Sequence, residues 1–131
     1  MAALIGAAPG RWPPPRLRTL LQLAPGPLLA GPGPLIRSLR AQAVFDRLHP
    51  KHDHLLVWLF AVSPARQRTG LGRRLMEKAL AEADSAGVPA YLWTANPANV
   101  PYYRSHGYEV FAEAAIPGDV TNWFMERPAV T

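Results

Sequence analysis

An apolar strand, a glycine-containing turn and a helix follow one another between residues 55 and 86, and this unit constrains the fold of the chain most. Residues 55–62 are almost wholly apolar, which is typical of a strand buried on both faces. Residues 71–86 repeat apolar side chains at helical spacing, and Gly87 supplies a stop. The predicted inward stripe of this helix is Leu71, Leu75, Ala79, Leu80 and Ala83.

The turn of this unit carries Gln67, Gly70 and Gly72 in the pattern Gln-x-x-Gly-x-Gly. Glycines let the backbone turn tightly, so that successive N–H groups can point at one spot. The first N–H groups of the following helix lack intrahelical partners, and the helix dipole adds partial positive charge. Such a place binds a phosphate or pyrophosphate. The alternative is a plain connection in which the glycines serve only geometry. The Gly-Lys-Ser/Thr of a Walker loop is missing, and Leu75 stands where a dinucleotide fingerprint needs a small residue.

The other apolar segments predict a mixed α/β sheet. Residues 88–94 form the strand after the helix, and a strand-helix-strand order implies parallel pairing. Asn99 lies in the loop after this strand, and residues 100–105 read as a short helix. Two final strands, predicted at residues 108–111 and 122–126, are expected to pair in antiparallel fashion.

The first third of the chain is rich in proline and glycine. It contains a candidate edge strand at residues 1–8 and two short helical patterns at residues 16–24 and 35–48. We therefore divide the 131 residues into three parts: an N-terminal segment with two short helices (1–48), a core (49–128) and a tail (129–131).

The charge and composition of the chain limit the kinds of partner that it can have. The net charge is +5, and five arginines precede the first acidic residue, Asp46, so the surplus belongs to the N-terminal third. A basic nucleic-acid or partner-binding module is one interpretation, but the arginines are spaced among leucines and prolines without a lysine cluster. The chain has no cysteine and no apolar run of membrane-spanning length, so we expect a cytoplasmic protein without membrane contact. Three histidines in residues 49–54 suggest a metal, but their adjacent spacing favours a solvated loop.

A second motif indicates which family the glycine turn resembles. The segment Asn99-Val100-Pro101-Tyr102-Tyr103, followed by Gly107-Tyr108, accompanies the Gln-x-x-Gly-x-Gly turn in the right order. Together they resemble the GNAT superfamily of acetyl-CoA-dependent N-acetyltransferases, in particular its puromycin N-acetyltransferase type. The shared features include Val62-Ser63-Pro64 and the lead into the second core strand. The resemblance runs from about residue 49 to 128 and implies a GNAT-like mixed sheet.

The resemblance implies that acetyl-CoA is the cosubstrate and that Tyr103 is the general acid. From the residues alone, Tyr102 and Tyr103 read equally as core aromatics. Many members carry a glutamate base where this chain has Leu56, so we expect proton removal to involve His54, a water chain or an amine that arrives neutral. The implied cofactor-binding residues are Ala61, Val62, Gln67, Arg68, Thr69, Gly70, Leu71, Gly72, Arg73 and Asn99.

The expected function is acetyl transfer to an amine of a small molecule, through a cleft that requires the two core strands to separate. The strand, two helices and strand that open such domains have no counterpart here, so we expect a shortened version or one completed by a second copy as a homodimer. A non-catalytic CoA-binding remnant is therefore the alternative.

Overall fold

The computed structural model describes residues 2–7, 31–62, 65, 69–116 and 119–130. The helix predicted at residues 16–24 lies outside them, as do Gln67 and Arg68. In chain order, the elements are β1 (Ala2–Ala7), α1 (Pro32–Leu48), β2 (Leu55–Val62), α2 (Leu71–Ser85), β3 (Ala90–Thr94), a 3₁₀ turn (Pro97–Asn99), α3 (Val100–Arg104), β4 (Glu109–Ile116) and β5 (Val120–Arg127).

The described strands form one mixed sheet in the order β1-β2-β3-β5-β4. The β2–β3 pair is parallel and the other neighbours are antiparallel, which confirms the predicted fold class. Strand β4 runs to Ile116, although the sequence predicted its end at Phe111. Residues 112–115 lack β-branched side chains, so their extended conformation comes from pairing with β5 rather than from propensity.

Helices α2 and α3 cover one face of the sheet, where most buried side chains lie. From α2 the core receives Met76, Ala79, Leu80 and Ala83, so three of the five predicted stripe residues are confirmed as buried. Leu71 and Leu75 are only partly buried, and Met76, which the sequence interpretation missed, is fully buried. The stripe is therefore rotated toward Met76, which precedes Ala79 and Leu80 by the three- and four-residue spacings of one helix face.

Helix α1 covers the opposite face. Val44, Phe45 and Leu48 pack against a cluster of Leu56, Tyr91 and Phe124, each of which is fully buried. The helix begins at Pro32, three positions before the predicted start, because proline is tolerated in a first turn, where N–H groups need no intrahelical acceptor.

A bidentate ion pair joins the end of α2 to the end of β5. The Arg127 guanidinium donates to both carboxylate oxygens of Asp84, at 2.7 and 3.0 Å, and the Val130 N–H donates to the same carboxylate at 3.2 Å. The hydrogen bond from Arg127 lowers the pKa of Asp84 below its ordinary value of 3.8. The pair thus fixes the C-terminal strand to the helix.

Asp84→Asn should lower the free energy of unfolding at pH 7 by about 1–2 kcal/mol, because Arg127 loses its charged acceptor. A carboxylate with a lowered folded pKa contributes above its unfolded pKa and loses that contribution as pH falls through the folded value. Urea titrations at pH 7 and pH 2.5 should show a smaller difference at the lower pH. Glu77→Gln, which breaks the exposed Arg73–Glu77 pair, is the matched control with a much smaller effect. An equal effect of both variants at pH 7 would contradict this account.

A second pH effect is predicted from the burial of a histidine rather than from a paired carboxylate. Burial, and then the neighbouring His54, lower the pKa of His49 below 6.5. The unfolded chain therefore binds a proton at higher pH than the folded one, and stability should fall as pH drops below about 6.5. The melting temperature of His49→Gln should decline less between pH 7.5 and 5 than that of the parent. Burial also lowers the pKa of His106. We therefore expect His106 to cause part of the decline in melting temperature that remains in His49→Gln. An unchanged pH profile would exclude the His49 contribution.

Candidate active site

The parallel strands β2 and β3 separate soon after they begin, and we call the resulting opening the fork. Their register consists of Leu55 with Ala90 and Leu56 with Tyr91, although β2 continues to Val62 and β3 to Thr94. Open α/β sheets bind ligands beyond the carboxyl ends of their strands, where this fork opens. The pairing of β2 with β3 thus ends before either strand does, as a cleft between them would require.

The main chain of β2 forms one side of the fork. Ala61 and Val62 pair with Ala3 and Ala2 of β1, so one edge of their backbone is engaged by that strand. The other edge faces the fork beyond the last β3 partner of β2. An extended ligand can pair with such an edge as an added strand.

The start of α2 adjoins the end of β2. Gly70 occupies the position before the helix with φ of 78°, and its carbonyl accepts the first helical hydrogen bond, from the Arg74 N–H at 3.0 Å. Among the described residues, no side chain caps this end. The N–H groups of Leu71, Gly72 and Arg73 consequently lack intrahelical acceptors, and the dipole makes this end positive. A Cβ built on Gly70 meets no atom of the described residues within 4 Å, so among these residues the space beside Gly70 is open.

Two exposed groups flank this helix start. Thr69 lies beside Gly70 on the surface. The Arg73 Nε donates to the Glu77 carboxylate at 2.7 Å, and this hydrogen bond raises the pKa of Arg73. A permanently charged side chain is thus part of the first turn of α2.

The loop after β3 forms the other side of the fork. Asn96 accepts from the Ala98 N–H at 3.0 Å and so caps the 3₁₀ turn. Asn99 is exposed, and its Nδ2 donates to the Thr94 hydroxyl over 3.5 Å. Sequence reasoning assigned no role to Thr94. The signal that could have found it is a hydroxyl residue two positions before an asparagine at a strand end, which is a common turn arrangement.

Tyr103 lies on α3 among the α2-face core residues and is 8% exposed. Its ring contacts Tyr102 and Tyr108, with centroids 5.5 and 6.0 Å apart. Burial raises the pKa of Tyr103 above 10. The helix ends at once because Gly107, with φ of 86°, allows the Tyr108 N–H to return to the Tyr103 carbonyl at 3.2 Å.

His54 lies on the other face. Its Nδ1 donates to the His52 carbonyl at 2.8 Å, so in the neutral ring Nε2 carries the lone pair. That Nε2 is buried without a hydrogen-bond partner among the described residues. The ring packs against His49 and Tyr91, at 4.7 and 5.4 Å, on the side covered by α1. The structure therefore does not bring the two predicted catalytic side chains, His54 and Tyr103, to one face. At the position of the expected glutamate, Leu56 is fully buried.

The described part of the chain has neither a metal-binding cluster nor a membrane-spanning helix. No three histidine, aspartate or glutamate side chains there are arranged to hold a metal ion. None of the helices described is long and apolar enough to cross a membrane.

Comparison with solved structures identifies the fold. A protein from Corynebacterium glutamicum described as histone acetyltransferase HPA2 and related acetyltransferase matches 99% of this chain and 58% of its own, with a TM-score of 0.64 and 19% identity. Chaetomium thermophilum Naa20, solved with a bisubstrate analogue, is 26% identical over 66% of this chain and 53% of its own, with a TM-score of 0.52. Nourseothricin acetyltransferase is 23% identical over 59% of this chain and 51% of its own, with a TM-score of 0.53.

This chain spans just over half the length of each of these structures. The family model described as acetyltransferase (GNAT) family matches residues 7–108, which is well over half of the chain. The match includes the uncapped start of α2, the fork and the loop up to Tyr108. The chain therefore belongs to the acetyltransferase (GNAT) family.

Proposed function

We propose that the chain transfers an acetyl group from acetyl-CoA to an amine of a small molecule. The observation that carries this proposal is the fork between β2 and β3 beside the uncapped start of α2. The pyrophosphate would accept hydrogen bonds from the amides of residues 70–73, with Arg73 adding charge. Gln67 and Arg68 are proposed to complete this turn.

The pantetheine arm would pair with the free main-chain edge of Ala61 and Val62, as an added strand does. Asn99, exposed on the opposite side of the fork, would hold the arm from there. This arrangement fits the chain because the Cβ position of Gly70 is open among the described residues, and a side chain there would crowd a phosphate.

The chemistry requires one proton donor. The amine nitrogen attacks the thioester carbonyl carbon, a C–N bond forms and the C–S bond breaks, and the thiolate takes a proton from the Tyr103 phenol. Because burial raises the pKa of Tyr103, the phenol stays protonated through neutral and mildly alkaline pH. A positioned acid of this kind contributes about 100-fold or more to the rate.

Proton removal from the amine has three proposed routes: His54, a water chain, or an acceptor that arrives neutral. The burial of His54 Nε2 on the α1 face favours the latter two. Leu56 has no proton to exchange.

The small-molecule acceptor is supported by the resemblance of residues 62–64 and 99–103 to the puromycin N-acetyltransferase type. A peptide or protein N-terminus is the competing acceptor. A thiol-release assay should therefore include aminoglycoside-like and nucleoside amines, polyamines and short peptides. Turnover with peptides alone would overturn the small-molecule proposal.

A cytoplasmic location, a homodimer and the lack of a nucleic-acid partner stay predictions.

A second candidate function is non-catalytic CoA binding. The buried Leu56 at the expected base position favours it. Acetyl-CoA binding without thiol release from any amine would support this candidate. Absence of acetyl-CoA binding in calorimetry would exclude both CoA-dependent functions and leave the basic partner-binding module.

Gly70→Glu should weaken acetyl-CoA binding at least tenfold, because it places a carboxylate where the amides of α2 meet the pyrophosphate. The matched control is Gly87→Glu at the other end of the same helix. Gly87 also has a positive φ, 66°, and open space around its Cβ position, so the backbone strain is similar. Calorimetry with acetyl-CoA measures both. Equal affinities for the two variants would refute the loop assignment.

Tyr103→Phe should lower kcat about 100-fold with little change in the KM for acetyl-CoA, because it removes only the proton donor. Tyr108→Phe is the control, since Tyr108 lies in the same cluster and its buried hydroxyl has no hydrogen-bond partner among the described residues. Its kcat should match the parent. Undiminished thiol release by Tyr103→Phe would exclude the acid role.

A further inference from the structure

We propose that Thr94 is a positioning residue, which fixes the side-chain amide of Asn99 in the orientation that coenzyme A requires. This inference rests on the proposed function and adds a residue to which the sequence motifs assign no role. Thr94 is the last residue of β3 and is 8% exposed. Its backbone pairs with Trp123 of β5, so the side chain starts from a fixed position in the sheet.

The hydroxyl of Thr94 forms hydrogen bonds with two residues of the loop. Its oxygen accepts from the Asn96 N–H at 3.2 Å and from the Asn99 Nδ2 at 3.5 Å, and it donates to the Asn96 carbonyl at 3.4 Å. A hydroxyl has one proton and two lone pairs, and all three are used here. Thr94 therefore links the rigid end of β3 to both asparagines of the loop.

The two asparagines have different tasks. The Oδ1 of Asn96 is engaged by the Ala98 N–H, so this side chain is committed to capping. Asn99 instead points its Nδ2 at Thr94 and is otherwise exposed. With Nδ2 held, Oδ1 faces away from Thr94 and can accept a hydrogen bond from an N–H of the pantetheine arm. Without the hydroxyl, this hydrogen bond no longer selects which end of the amide faces the ligand.

A merely structural role for Thr94 predicts a different outcome. In that case, removal of the hydroxyl loosens the loop and lowers stability, and its effect on binding is independent of Asn99. In the positioning role, the hydroxyl acts on binding only through Asn99, so the two effects do not add. A double-mutant cycle separates these cases.

The experiment uses the full chain and measures the Kd for acetyl-CoA by calorimetry, together with melting temperature. Thr94→Val keeps the branched shape and removes the hydroxyl, and Thr94→Ser keeps the hydroxyl. We expect Thr94→Val and Asn99→Ala each to weaken binding about fivefold, as the loss of one hydrogen bond would. The double variant should also be weakened about fivefold, and Thr94→Ser should bind like the parent. Thr94→Ala replaces Thr94→Val if the latter does not fold.

Multiplied losses in the double variant, or parental affinity in Thr94→Val, would overturn the positioning role while leaving acetyl-CoA binding intact. A parent chain that binds no acetyl-CoA would instead refute the proposed function itself. The two failures are therefore distinguishable in one set of titrations.

Discussion

The short parallel register between β2 and β3 is the constraint on which the rest of the structure depends. Each of these strands is held more extensively by its antiparallel neighbour, β1 or β5, than by the other. The sheet therefore consists of two antiparallel parts joined at the start of β2 and β3. At this junction, Leu56 and Tyr91 are fully buried under α1, so the point where the strands part is fixed by packing as well as by hydrogen bonds.

The start of α2 and the end of β3 use their polar groups in opposite ways. At the start of α2, no side chain of the described residues caps the amides, and none of their atoms fills the space beside Gly70. At the end of β3, the Thr94 hydroxyl satisfies the loop internally. An anion gains most where donors are unsatisfied, whereas an oriented side chain needs a satisfied support. In the proposed function, the start of α2 meets the charged end of acetyl-CoA and the loop after β3 meets its amide-containing arm.

The separation of Tyr103 and His54 onto opposite faces shapes the proposed mechanism. Both side chains are buried, but Tyr103 belongs to the core beneath α2 and α3, whereas His54 packs with His49 and Tyr91 under α1. In the proposed mechanism, Tyr103 donates the proton when the tetrahedral intermediate collapses. Removal of the amine proton is then proposed to fall to a water chain or to an acceptor that arrives neutral.

The glycine turn, the order of the elements and the family could be predicted from the sequence by itself. The reason is that backbone conformation and apolar periodicity depend on near neighbours in the chain. The sequence also located β2 and the start of α2 correctly. Tertiary structure decided the burial of Met76, the full length of β4, the fork and the face on which His54 lies. These features depend on pairing and packing between residues far apart in sequence, where one strand's neighbours set its length, its partner and its exposed edge.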